Sequence, residues 1–68
     1  MQWFTAQYFT STGELVREIE KSAKSFKGAV AMARNSHKWL NSLGEDETVS
    51  TCTVTMENSG ETTTIKLD

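Results

Sequence analysis

A chain of 68 residues with a net charge of −2 and no proline makes one small domain, residues 1–68. Folding at this size buries only about 60% of the surface that the unfolded chain exposes, so additional sources of stability matter. The single cysteine, Cys52, rules out an intrachain disulfide, and with His37 the only histidine no Cys/His zinc set can be assembled. No metal or cofactor is expected, which leaves self-association or a partner as the remaining helper.

Residues Gln2 to Thr10 are rich in aromatics and threonine, and they read as a strand. Ser11-Thr12-Gly13 is turn material. Leu15, Arg17 and Ile19 then alternate with Val16, Glu18 and Glu20, which predicts a second strand to about Lys21 and so a hairpin. On the first strand Phe4, Ala6 and Tyr8 point one way, and Trp3 and Phe9 the other. Phe4, Ala6 and Tyr8 are expected in the core with Leu15 and Ile19, leaving Trp3 and Phe9 on the open face.

The period then changes. Phe26, Ala29, Val30, Ala33, Leu40 and Leu43 recur at helical spacing. Ser22 or Ser25 can cap the helix by accepting an unsatisfied backbone N–H of its first turn, and Gly44 supplies a left-handed stop. Glu45-Asp46-Glu47 is an acidic loop. Thr48 to Met56 alternates and is β-branched, Asn58-Ser59-Gly60 is a second turn, and Thr62 to Leu67 is the last strand. The order is β-β-α-β-β. The expected fold is α+β, a four-stranded antiparallel sheet with the helix packed on one face.

If Cys52, Val54 and Met56 face the helix with Thr63, Ile65 and Leu67 beside them, the last hairpin needs an even-numbered loop. The hydrophobic pattern outweighs the three-residue turn signal of Asn-Ser-Gly. Thr51, Thr53, Thr55, Thr62 and Thr64 then line the open face, where cross-strand threonine pairs stabilise a pleated surface.

The stretch from Lys21 to Lys38 holds five of the seven Lys and Arg residues and no Asp or Glu. At about 100° per residue, Lys24, Lys27, Arg34 and Lys38 lie well away from the apolar arc, while His37 falls within it. A solvated helix ordinarily mixes signs, because Glu-to-Lys pairs four residues apart support it. An unbalanced cationic stripe therefore points to an acidic partner, protein surface or phosphate. Four charges give modest salt-dependent attraction rather than tight duplex binding. Trp3 and Phe9 are the competing binding surface, since exposed aromatics anchor protein interfaces. They lack interleaved basic residues, so base stacking has little support. The acids on the hairpins, set against the basic helix, also suit a bipolar molecule and head-to-tail self-association.

No catalytic constellation is legible. His37 sits on the apolar arc, where a lone histidine packs, and Cys52 falls mid-strand on the core face, where thiols act as small hydrophobes. There is no phosphate loop, dinucleotide fingerprint or zinc motif. MQWFTAQYF has neither a basic n-region nor a long apolar run, so no secretory signal is expected, and nothing approaches the roughly 18 apolar residues of a membrane span. One free thiol favours a reducing cytoplasm.

The aromatic first strand Trp3-Phe4-Thr5-Ala6-Gln7-Tyr8-Phe9, the basic helix from Ser22 to Leu43 and the threonine-rich final hairpin together give a layout that resembles small phage-encoded accessory proteins, including single-domain anti-CRISPR proteins. The resemblance is of architecture and spans the whole chain. It implies a non-enzymatic inhibitor that occupies a surface on a defence complex in the host cytoplasm, and it carries over no functional residues. The residues themselves point to a protein-binding module using Trp3 and Phe9 or the Lys24, Lys27, Arg34 and Lys38 stripe. The alternatives are a nucleic-acid binder using the helix back and a structural homodimer.

Overall fold

A computed structural model describes residues 1–42 and 49–67, with helix side chains up to Lys38. The elements are β1 (Gln2–Thr10), β2 (Leu15–Ala23), α1 (Phe26–Ser42), β3 (Val49–Met56) and β4 (Thr62–Lys66). The sheet is antiparallel with order β2-β1-β3-β4. Since β2 and β3 both run against β1, they run parallel to each other, and α1 makes the crossover between them. The predicted Leu43, Gly44, Glu45-Asp46-Glu47 and Thr48 lie outside the described residues.

Side-chain alternation sets the layers. Phe4, Ala6 and Tyr8 of β1 and Cys52, Val54 and Met56 of β3 are buried against α1, whose Ala29 and Ala33 are also fully buried. Small residues at those two positions let the helix come close to the strands. Ile19, Phe26, Val30, Ile65 and Leu67 complete the core from its margins. The Tyr8 hydroxyl spans the two layers and donates to the Ala33 carbonyl at 2.7 Å.

Two bulges modify the alternation. Tyr8 faces Arg17, but Phe9 faces Leu15, so Val16 is the extra residue in β2. An extra residue switches every later side chain to the opposite face. Leu15, expected in the core, therefore sits beside Phe9 on the open face and is 50% exposed. The second shift, where Phe9 faces Thr51 and Thr10 faces Val49, brings Val49 into the core.

The helix takes the later of its two candidate caps. β2 runs on to Ala23, so Lys21 belongs to a strand and Lys24 to the connection. Ser25 is the cap: its hydroxyl accepts the Gly28 N–H at 3.1 Å, and its carbonyl accepts the Ala29 N–H at 2.9 Å. Ser25→Ala should cost about 1 kcal/mol, read as a lowered thermal midpoint. An unchanged midpoint would show that water caps this end equally well.

The β3–β4 loop is even-numbered as expected, with four residues, Glu57 to Gly60. Met56 N–H donates to Glu61 O at 2.8 Å, Gly60 N–H donates to Met56 O at 2.9 Å, and Gly60 takes φ 75°. Cys52 thus faces Ile65 and Val54 faces Thr63. On the other face the Thr53–Thr64 and Thr55–Thr62 hydroxyls pair at 3.0 and 3.1 Å.

Candidate functional site: the helix flank and the open sheet face

Lys27, Arg34 and Lys38 are exposed on α1 and fall within one arc about 40° wide, spread over about 17 Å of helix. Phe26–Ser42 contains no acidic residue. The other flank of the helix is defined by an open groove of about 300 Å³ lined by Lys21, Met32, Asn35 and Ser36, next to β2. The cationic arc therefore lies on the flank toward β3 and β4. Lys24 is exposed but precedes the helix, so three of the four predicted cations form the stripe and the fourth stands at its N-terminal approach.

The open face of the sheet has three zones. At one end Trp3 is 55% exposed beside an acidic corner. Glu57 N–H donates to Trp3 O at 3.0 Å, and Thr5 Oγ1 donates to a Glu57 carboxylate oxygen at 3.3 Å. Glu20 stands next to Glu57, whose hydrogen bond and charge push the Glu20 pKa upward. The middle is polar, with Gln7 donating to Glu18 at 2.8 Å and the threonine pairs alongside. At the far end Phe9, half-buried, lies against Leu15.

Trp3 and Phe9 share a face, as predicted, but six residue steps along the strand separate them by about 20 Å. They are two sites, and the partner of Phe9 is Leu15, which the sequence placed in the core. Leu15 became visible only through the bulge at Val16, for which strict alternation gives no signal.

His37 and Cys52 lie inside. His37 is 8% exposed, its ring stacked beside Tyr8 at 6.4 Å between centroids and 21° between planes, and its Nδ1 is buried with no hydrogen-bond partner among the described residues. Burial pushes the Cys52 thiol up to about 11. Among the described residues no group of three or more His, Cys, Asp or Glu side chains is arranged to hold a metal ion, and no helix is long and apolar enough to cross a membrane.

No family model, curated protein or solved structure matches this chain. The surfaces therefore carry the functional argument alone.

Proposed function

We propose that this protein is a non-enzymatic protein-binding module that engages an acidic partner surface through the α1 flank. The observation that carries this reading is the exposed Lys27, Arg34 and Lys38 stripe on a helix with no acid to neutralise it. Three like charges on one arc repel each other, and an acidic partner relieves that repulsion. The architectural resemblance to phage inhibitors supports a role in which the partner is a host defence complex in the cytoplasm. Trp3 and the Phe9–Leu15 pair are secondary anchors.

Reversing Lys27, Arg34 and Lys38 to Glu should weaken partner capture at least about tenfold, chiefly through slower association. These exposed positions should shift stability by only about 0.5 kcal/mol each. Partner binding that survives both this reversal and Trp3→Ala with Phe9→Ala would sink the reading. The same stripe favours nucleic acid as a second reading. In that case affinity should fall with salt at a log–log slope of about −2.7 for duplex and about −2.1 for single strands, for three phosphate contacts. Absence of binding at low salt would remove it.

A further inference from the structure

We propose that β4 is a dimerisation edge: two copies pair their β4 strands about a two-fold axis at Thr64 and so build a continuous eight-stranded sheet. The inference is independent of the identity of the partner above.

The sheet ends in two edges, β2 and β4, each with one side unpaired among the described strands. Unpaired edges template pairing unless something blocks them, and charged side chains are one such block. The β2 edge is blocked. Antiparallel pairing of two β2 strands with matched faces sets glutamate against glutamate when centred on Glu18, Ile19 or Glu20, and sets a cation against itself when centred on Arg17 or Lys21. The Ile19-centred register also sets Arg17 against Lys21. Like charges directly opposite each other destabilise a strand pair.

The β4 edge, Thr62-Thr63-Thr64-Ile65-Lys66, has no such conflict. Its only charge is Lys66, which meets Thr62 of the second copy when Thr64 meets Thr64. No proline or bulge interrupts it, and its residues are strongly β-prone.

The hydrogen-bond phase agrees with that axis. Met56 N–H donates to Glu61 O, and Leu67 N–H donates to Ser50 O at 3.0 Å. Along an antiparallel pair, residues alternate between pointing their backbone groups at the neighbour and away from it. Thr63 and Ile65 therefore direct their N–H and C=O toward β3, as do the Glu61 C=O and the Leu67 N–H, while the Glu61 N–H donates to Ser59 Oγ in the loop. Thr62, Thr64 and Lys66 direct theirs outward. With Thr64 opposite Thr64, all three outward N–H groups of each copy meet outward carbonyls of the other.

The dimer also organises the cationic stripe. α1 packs over β1, touching β2 on one side and β3 on the other. Five strand spacings then separate the two helix axes, about 24 Å. Allowing for helix diameters of 10–12 Å leaves a trough about 12–14 Å wide, room for one further helix. Its walls are the two Lys27, Arg34 and Lys38 flanks, and Ile65 lies in its floor. The stripes stay farther apart than the Debye length of about 8 Å at physiological salt, so their mutual repulsion is screened.

A five-residue strand pair is small beside a standard interface, so the association should depend on concentration. Sedimentation equilibrium of the full chain at sub-millimolar concentration should show dimer. Thr64→Lys and Thr64→Glu place like charges on the axis, and each variant alone should sediment as monomer while keeping the wild-type circular dichroism. Mixing the two should restore a 1:1 dimer, a result that misfolding of either variant cannot produce. Glu18→Lys on the other edge should leave the dimer intact. A wild-type monomer at the highest concentration, dimers of both Thr64 variants alone, or failure of two folded variants to pair would overturn the proposal.

Discussion

Tyr8→Ala should leave the domain largely unfolded at 25 °C, whereas Tyr8→Phe should lower the thermal midpoint by only about 4–8 °C. Tyr8 is fully buried and is the largest of the fully buried side chains. Its ring carries the Arg17 guanidinium at 5.8 Å on one side and packs beside His37 on the helix. Truncating a buried aromatic to alanine costs about 3–5 kcal/mol. A domain of 68 residues holds about 3–10 kcal/mol in total, so the loss takes most of the reserve. Phenylalanine keeps the ring and forfeits the hydroxyl's hydrogen bonding, chiefly the bond to Ala33 O, about 1 kcal/mol. The Ala33 carbonyl also retains its ordinary helical acceptor role, so no buried acceptor is orphaned. Thermal melts of the two variants decide the matter. A Tyr8→Ala protein that melts within a few degrees of wild type would show that α1 collapses onto β1 to fill the space and that the core is loosely fitted.

The contrast between Tyr8 and Leu15 shows what could be read from the chain. Phe4, Ala6 and Tyr8 alternate with polar neighbours, and Cys52, Val54 and Met56 do the same, so pleat geometry alone places both triplets on one face. The helical arc likewise placed Ala29, Ala33 and His37 inside. Leu15 and Val49 were misread or missed because each lies beyond a bulge, and a bulge is chosen by pairing across the sheet rather than by the strand's own composition. The start of α1 was ambiguous for a related reason. Ser22 and Ser25 are equal as capping side chains, and the choice fell to Ser25 because β2 keeps pairing with β1 as far as Gln2–Ala23. That choice left Lys24 ahead of the helix and cut the stripe to three residues. The two aromatic anchors were legible as sharing a face. Their distance from each other, and the pairing of Phe9 with Leu15, required the strand register.

The edges of the sheet carry a second kind of information. The several charges on β2 and the single charge, Lys66, on β4 are plain in the sequence, yet neither means anything until the strand order makes these two the outer strands. Glu18 and Glu20 then act as a guard on one side, while the threonines of β4 present an open backbone on the other. The Glu20–Glu57 contact adds to the acidity beside Trp3, so a partner seated on that aromatic must tolerate or neutralise two adjacent carboxylates.

Raising the pH from about 9 to about 12 should remove most of the folding stability, through Cys52 first and Tyr8 second. The two residues face each other across β1 and β3. Burial raises the Cys52 thiol from 9.0 to about 11. Burial, followed by the neighbouring Cys52, raises the Tyr8 phenol from 10.0 to about 12, against the smaller opposing pull of Ser36 and Arg17. Both groups are neutral when protonated, and the folded state holds both protons more tightly than the unfolded chain does. Below about pH 9 the two states are equally protonated at these sites and the full stability is present. Between about 9 and 11 the unfolded chain sheds the Cys52 proton while the fold retains it, and between about 10 and 12 the same holds for Tyr8. Each retained proton costs about 1.4 kcal/mol per pH unit. The summed loss approaches about 5 kcal/mol by pH 12, comparable to the whole stability of so small a domain. Denaturant midpoints measured across this range should fall steadily from about pH 9. In Cys52→Ala the fall should begin about one unit later, because only the phenol remains to titrate. A wild-type midpoint that stays level between pH 9 and 11, or a Cys52→Ala profile that falls from the same pH as wild type, would show that these two buried groups do not govern the alkaline limit of the fold.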